Sequence, residues 1–143
     1  MSVLTYIAAD WPMPQRLLCC SDTVAAGETP EEGPSDDDFF LVRAEMMSSI
    51  FTEKRCAVGL EWSGFSERRA RSVIAYILEL LRHTDEVELW HIWMGSEEKP
   101  LIRSRTISAD ALTTEEIRAL TGKNVLEEFW EIPIQYRLVI RAE

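Results

Sequence analysis

The sequence of 143 residues lacks the local motifs that identify many common enzyme classes. It contains no Walker A loop, GxSxG elbow, HExxH helix, dinucleotide-binding glycine fingerprint or EF-hand loop. These absences do not exclude catalysis, because small acid–base sites are assembled from residues scattered along a chain. An enzyme is nevertheless the less favoured class of protein.

Cysteine is scarce and long apolar runs are missing. Cys19, Cys20 and Cys56 include no CxxC pair, and adjacent cysteines rarely bridge each other. We therefore expect free thiols in a reducing compartment, no metal and no cofactor. No apolar run approaches the ~20 residues of a membrane-spanning helix, and the N-terminus lacks the basic region of a signal peptide. The sequence predicts a cytoplasmic protein without membrane contact.

Basic residues are outnumbered, with 15 Lys and Arg against 25 Asp and Glu and a net charge of −10. Eight of the acidic residues and only one basic residue lie between residues 10 and 38, so most of the excess charge belongs to one segment. Proteins that bind nucleic acid usually present a basic face, so we expect no partner of that kind.

The chain divides into an N-terminal extension, residues 1–52, and a core, residues 53–143, which we expect to form a single domain. In the extension, the alternating pattern of 3–9 predicts a strand, and 39–45 is a second strand candidate. Residues 10–38 are rich in proline, glycine and acidic side chains, a composition that is typical of a loop.

Hydrophobic periodicity gives the core the element order strand, helix, strand, strand, helix, strand. The predicted strands cover 55–62, 86–94, 101–107 and 134–141, and the predicted helices cover 67–84 and the residues from 113 to about 122. Ser66 is a good N-cap for the first helix, and Thr113 and Glu116 have the spacing of a capping box for the second.

This order resembles the ferredoxin-like βαββαβ topology. The resemblance implies an α+β fold in which a four-stranded antiparallel sheet carries both helices on one face, with an N-terminal extension of one or two strands. It concerns the backbone arrangement alone, since three cysteines are too few for iron–sulfur chemistry.

The strand EVELWHIWM, residues 86–94, is apolar on both sides, unlike the other three. Trp90, Ile92 and Met94 fall on the side of the sheet that this topology leaves open. We expect these three residues to form an interface, since exposed apolar patches mark contact surfaces. Two sources of cover stay open: the N-terminal strands of the same chain, or a second subunit in a homodimer.

His91 is the candidate catalytic residue. It shares a face with Val87 and Leu89, which favours a buried, hydrogen-bonded histidine of the core. The alternative is an acid–base site in which His91 works with a carboxylate, namely Glu88, Asp85 or Glu61. Alternation along the strand weakens the pairing with Glu88, because it places the two side chains on opposite faces.

Arg68, Arg69 and Arg71 lie in the first turns of the helix 67–84, where positive charge opposes the helix dipole. A helix start that follows a glycine-containing loop offers N–H groups to an anion, so the segment 64–71 is a candidate phosphate or carboxylate site. The alternative is that these arginines pair with nearby acidic residues, including those of the acidic loop.

The sequence favours a small cytosolic interaction or regulatory module, with a second copy of the chain or another protein as its partner. One variant of this hypothesis is an acidic inhibitor that neutralises a basic partner. A small-anion sensor acting through 64–71 is the second hypothesis, and a small enzyme with an acid–base site around His91 is the third.

Overall fold

A computed structural model describes residues 2–18, 36–44, 52–94, 101–122 and 134–142 of the chain. Within these ranges the fold is α+β, with a seven-stranded mixed sheet and two α-helices. The strands are β1 (Ser2–Ala9), β2 (Arg16–Leu18), β3 (Phe39–Arg43), β4 (Cys56–Glu61), β5 (Glu86–Met94), β6 (Leu101–Ser108) and β7 (Ile134–Arg141). The helices are α1 (Glu67–Leu80) and α2 (Thr114–Thr121), and a 3₁₀ turn covers Ala109–Ala111.

The sheet has the strand order β2-β3-β4-β1-β5-β7-β6, so the prediction of a four-stranded ferredoxin-like sheet was wrong. Every neighbouring pair is antiparallel except β6 and β7, which run parallel. The elements themselves lie within a few residues of the predicted ranges. The exceptions are β2, which the sequence places in the acidic loop, and α1, which ends four residues earlier than expected.

The first reason for the different topology is the position of β1. This strand was assigned to an N-terminal extension, but it lies in the centre of the sheet, where Tyr6 is opposite Gly59 of β4 and Thr5 is opposite His91 of β5. Its side chains from Tyr6 to Ala9 are buried on both faces, as expected for a strand in the middle of a sheet that has a core on each side. Periodicity shows which residues share a face, but it does not show which strands are neighbours.

The second reason is the position of β6. The ferredoxin-like order would place this strand between two others, yet its first six residues are all exposed and include Arg103 and Arg105. A central position would bury these charges, whereas an edge leaves them in water. Because β7 lies between β5 and β6, these two consecutive strands do not form a hairpin.

The main core lies on one side of the sheet, called here the helix face. Both helices begin at side-chain N-caps: Ser66 Oγ accepts from the Arg69 N–H at 3.1 Å, and Thr113 Oγ1 accepts from the Glu116 N–H at 3.4 Å. The helices cover the sheet with aliphatic side chains, and Ile77 of α1 is wholly buried. Burial of one such side chain contributes about 1.5–3 kcal/mol. The members contributed by the helices are Ala70, Val73, Ile77, Leu80, Ile117 and Leu120.

A smaller core lies on the opposite side, called here the Trp90 face. Its buried members are Tyr6, Ala8, Ala44, Ala57, Trp90 and Ile92. Trp90 and Ile92 are completely buried within a single chain, so of the two sources of cover considered above, the chain itself accounts for these two residues. The side chain of Met94 lies outside the described part of the structure.

Candidate functional site

A buried carboxylate lies beside Trp90. The Trp90 Nε1–H donates to Glu88 Oε1 at 2.9 Å, and the Thr52 hydroxyl donates to the same oxygen. Arg137 Nη1 lies 3.6 Å from Glu88 Oε2, and the Arg137 guanidinium lies 5.4 Å from the centroid of the Trp90 ring. The Tyr6 ring stacks with the Trp90 ring at 5.9 Å between centroids. The charge of Glu88 is therefore compensated, and its partners fix the position of Trp90.

The Tyr6 hydroxyl belongs to the same cluster. Burial raises the pKa of this phenol, the neighbouring Glu88 carboxylate raises it further, and Arg137 opposes the rise. Among the residues that the structure describes, none forms a hydrogen bond with this hydroxyl. The phenol therefore stays neutral at any pH at which proteins are ordinarily studied, and Glu88 does not gain a second charged neighbour.

His91 lies on the helix face and is hydrogen-bonded. Its Nδ1 lies 2.9 Å from Thr5 Oγ1, and the two side chains are 6% and 5% exposed. Both residues line a cleft of about 290 Å³, called here the His91 cleft. The other lining residues are Val3, Leu60, Trp62, Ser63, Gly64, Phe65 and Thr121.

The His91 cleft brings together residues of two candidate sites that are separate in the sequence, namely His91 and the segment 64–71. Its rim is the turn 62–65, which includes the start of the predicted 64–71 anion site. Gly64 has φ +140°, a conformation that favours glycine, and among the described residues other than its two chain neighbours no atom lies within 4 Å of where a Cβ would stand. The described lining contains no carboxylate, and Glu88 points to the other face, into the Trp90 cluster. Among the described residues, therefore, none of the carboxylates considered for His91 lines its cleft.

Arg69 holds the turn to the end of the acidic segment. Its guanidinium donates to the carbonyl oxygens of Asp37 at 3.2 Å, Asp36 at 3.1 Å and Gly64 at 3.3 Å. Its Nη1 also lies 3.9 Å from Asp37 Oδ1, and its side chain is only 13% exposed. This is the intramolecular pairing that was the alternative to anion binding. Arg68 and Arg71 are half-buried, and anion binding by the three arginines stays a prediction.

The edge strand β6 is the most open element of the described sheet. Leu101 and Ile102 are 56% and 45% exposed. Arg105 Nη2 donates to Glu116 Oε1 of α2 at 2.8 Å, whereas Arg103 has no ion pair among the described residues. Sequence reasoning did not single out this strand, although a run with two arginines and no acidic residue is itself a signal for an exposed strand.

None of the helices in the described ranges is long and apolar enough to cross a membrane. The described residues also include no cluster of three or more His, Cys, Asp or Glu side chains placed to hold a metal ion. Comparison of the chain with protein-family models, with curated proteins and with solved structures finds no match. Any inference about function therefore depends on the geometry described above.

Proposed function

We propose that the protein is an interaction module that binds an extended, acidic segment of a partner protein along the edge strand β6. The observation that carries this proposal is the openness of β6. The strand has eight residues, its first six are exposed, and among the described strands it pairs only with β7.

An exposed edge strand is a template for strand addition, because its outward N–H and C=O groups have no partner in the sheet. The opposite edge is less suited to this role. Strand β2 has only three residues and follows a segment with Pro12 and Pro14, which cannot donate backbone hydrogen bonds. The long edge is therefore the favoured place for a partner.

The charge of β6 favours an acidic partner over a second copy of the chain. Strands β6 and β7 contain four arginines and no acidic residue. Two copies of β6 side by side in antiparallel register would bring Arg103 and Arg105 close to their own counterparts, and like charges across strands are destabilising. Glutamate or aspartate on an added strand would instead lie near Arg103, which has no ion pair among the described residues, and near Arg105.

The net charge of −10 for the whole chain does not prevent β6 from attracting an acidic segment at short range. Fourteen of the 25 acidic residues and thirteen of the 15 basic residues lie in the described ranges, so this part of the chain is close to neutral. Because salt screens exposed charges beyond about 10 Å, charges close to β6, including those of Arg103 and Arg105, affect binding at this edge more than the net charge of the whole chain does. A cytoplasmic location is part of the proposal and is supported by Cys56, whose thiol is free.

A peptide titration tests the proposal. A capped peptide of about nine alternating valine and glutamate residues should shift the NMR signals of residues 101–107, and Arg103→Glu should weaken its binding by about tenfold. Arg43→Glu, an exposed change on β3 at the other end of the sheet, is the matched control and should leave the affinity unchanged.

Three results would contradict the proposal. The first is peptide-induced shifts that lie away from β6, and the second is an equal loss of affinity for both variants. The third is tighter binding of the same peptide with lysine in place of glutamate. Light scattering should also show that the chain is a monomer when the peptide is absent, since a dimer that Arg103→Glu dissociates would assign the edge to a second copy.

A further inference from the structure

We propose that the acidic segment bound along β6 also carries an aromatic side chain, and that this side chain enters a cleft between β6, β7 and α2. The inference rests on the strand addition proposed above and names the side chain that the partner presents beside its acidic residues. The cleft has a volume of about 230 Å³ and is called here the β6 cleft.

The β6 cleft lies at the edge of the sheet, on the helix face. Arg103 of β6 pairs with Tyr136 of β7, and in the same parallel register Arg105 pairs with Leu138. These side chains belong to the helix face, because Leu138 is a member of the main core and Arg105 is bonded to Glu116 of α2. A strand added to the outer side of β6 would place every second side chain on this face, beside the two arginines.

Apolar surface forms the inner wall of the cleft. Leu120 of α2 and Leu138 of β7 line it and belong to the main core. Ala119, an exposed residue of α2, and the half-buried Tyr136 are also lining residues. Apolar surface of this kind favours an apolar side chain of the partner, because contact removes both surfaces from water.

The arginines favour an aromatic side chain over an aliphatic one. A guanidinium attracts the face of an aromatic ring and stacks on it as a flat group. The same contact occurs twice within the chain: the Arg137 guanidinium lies 5.4 Å from the Trp90 ring centroid, and that of Arg118 lies 4.9 Å from the Phe65 ring centroid. At the β6 cleft, Arg103 is exposed and so can meet a ring from the partner.

The second arginine is already held in place. Arg105 Nη2 donates to Glu116 Oε1 at 2.8 Å, which ties β6 to α2 across the cleft. A side chain that is ordered before the partner arrives loses less entropy on binding.

The size and position of the cleft define a short recognition pattern. A volume of about 230 Å³ accommodates one side chain with a single ring. The next positions on the same face of the added strand are two residues away, and there they lie near the arginines of β6. The partner segment should therefore combine one phenylalanine or tyrosine with an acidic residue two positions away.

Variants of the valine–glutamate peptide test this pattern on the full chain. One of the two central glutamates is replaced by phenylalanine, leucine or alanine. The phenylalanine peptide should bind about tenfold more tightly than the alanine peptide and about threefold more tightly than the leucine peptide, because only the ring stacks on a guanidinium. Phenylalanine in place of the central valine, on the opposite face of the added strand, should change the affinity by less than about twofold.

Variants of the protein show whether the ring occupies the cleft. Ala119→Trp fills the cleft from an exposed position and should abolish the difference between the phenylalanine and alanine peptides, whereas Ala119→Ser should preserve it. Both variants should bind the parent valine–glutamate peptide as the unmodified chain does. Arg103→Lys keeps the charge but removes the flat guanidinium, so it should bring the phenylalanine peptide close to the leucine peptide.

The two proposals fail in different ways. If the parent peptide shifts the NMR signals of β6 but phenylalanine gives no gain, or gives a gain that persists in Ala119→Trp, this inference is overturned and strand addition stands. Equal binding of the phenylalanine and leucine peptides would overturn the assignment of an aromatic side chain. If none of the peptides shifts the signals of β6, both proposals are wrong.

Discussion

The helix face and the Trp90 face of the sheet are buried by different means. On the helix face, two helices bring aliphatic side chains onto the sheet, and the polar pair Thr5–His91 lies at the margin of that core. On the Trp90 face, a single large ring contacts Tyr6 and Arg137 and donates a hydrogen bond to a buried carboxylate. Stability on the first face is shared among many contacts, whereas on the second it depends on few residues.

The largest expected effect comes from removing Trp90. Trp90→Ala should lower the free energy of unfolding by about 4 kcal/mol, because it leaves a cavity and removes the hydrogen-bond donor to Glu88. Ile77→Ala on the helix face should cost about 3 kcal/mol. Urea denaturation measures both values. Trp90→Phe keeps most of the packing and should cost less than Trp90→Ala. A loss smaller than that of Ile77→Ala would show that the two faces do not differ as described.

A smaller effect is expected from the buried carboxylate. Glu88→Ala should cost about 2 kcal/mol, because it removes the acceptor of the Trp90 N–H and the Thr52 hydroxyl and the ion-pair partner of Arg137. Glu88→Gln keeps an acceptor oxygen and should cost less. On the helix face, Thr5→Val removes one hydrogen bond and should cost about 1 kcal/mol by the same urea measurement. Equal losses for Glu88→Gln and Glu88→Ala would show that the hydrogen bonds accepted by Glu88 do not contribute to the free energy of unfolding.

The smallest effect concerns pH and a partly exposed carboxyl at the end of the Trp90 face. Partial burial alone would raise the pKa of Glu86, but the hydrogen bonds and charges of Lys54 and Arg141 lower it below its usual value. A carboxyl with a lowered pKa in the folded state stabilises the fold at neutral pH and loses that contribution as the pH falls. The free energy of unfolding of Glu86→Gln should therefore approach that of the parent chain between about pH 5 and pH 3. A constant difference over that range would exclude this linkage.

Local patterns predicted the elements well because their causes are local. The N-caps Ser66 and Thr113 and the alternation along 86–94 depend on residues a few positions apart, and the structure has these features. The neighbours of each strand depend on competition among all strands for the buried positions. The sequence contained part of that answer, since β1 is apolar on both faces and β6 carries arginines, which suit a central and an edge position respectively.

The sequence predicted properties of the individual residues of the candidate site, but it did not predict which of these residues lie together. Alternation placed His91 on the side of the core, and the arginines were recognised as a break in the helix-dipole pattern. That His91 shares a cleft with the turn at Gly64, and that Arg69 fastens this turn to Asp36 and Asp37, depends on contacts between residues distant in sequence. The interface predicted at Trp90 and Ile92 relied on an open sheet face, and the burial of both residues within the chain leaves β6 as the more exposed surface.

The central position of β1 has a consequence for the order in which the chain folds. The strand is synthesised before either of its neighbours, and its pairing with β5 joins Thr5 to His91, 86 positions away. Pairings of such long sequence separation form slowly, because the loop between them must lose its freedom first. Until β5 leaves the ribosome, β1 lacks one of its two neighbouring strands, and the apolar side chains on its two faces are not fully packed. Residues 2–9 are therefore the part of the nascent chain that most needs protection from self-association.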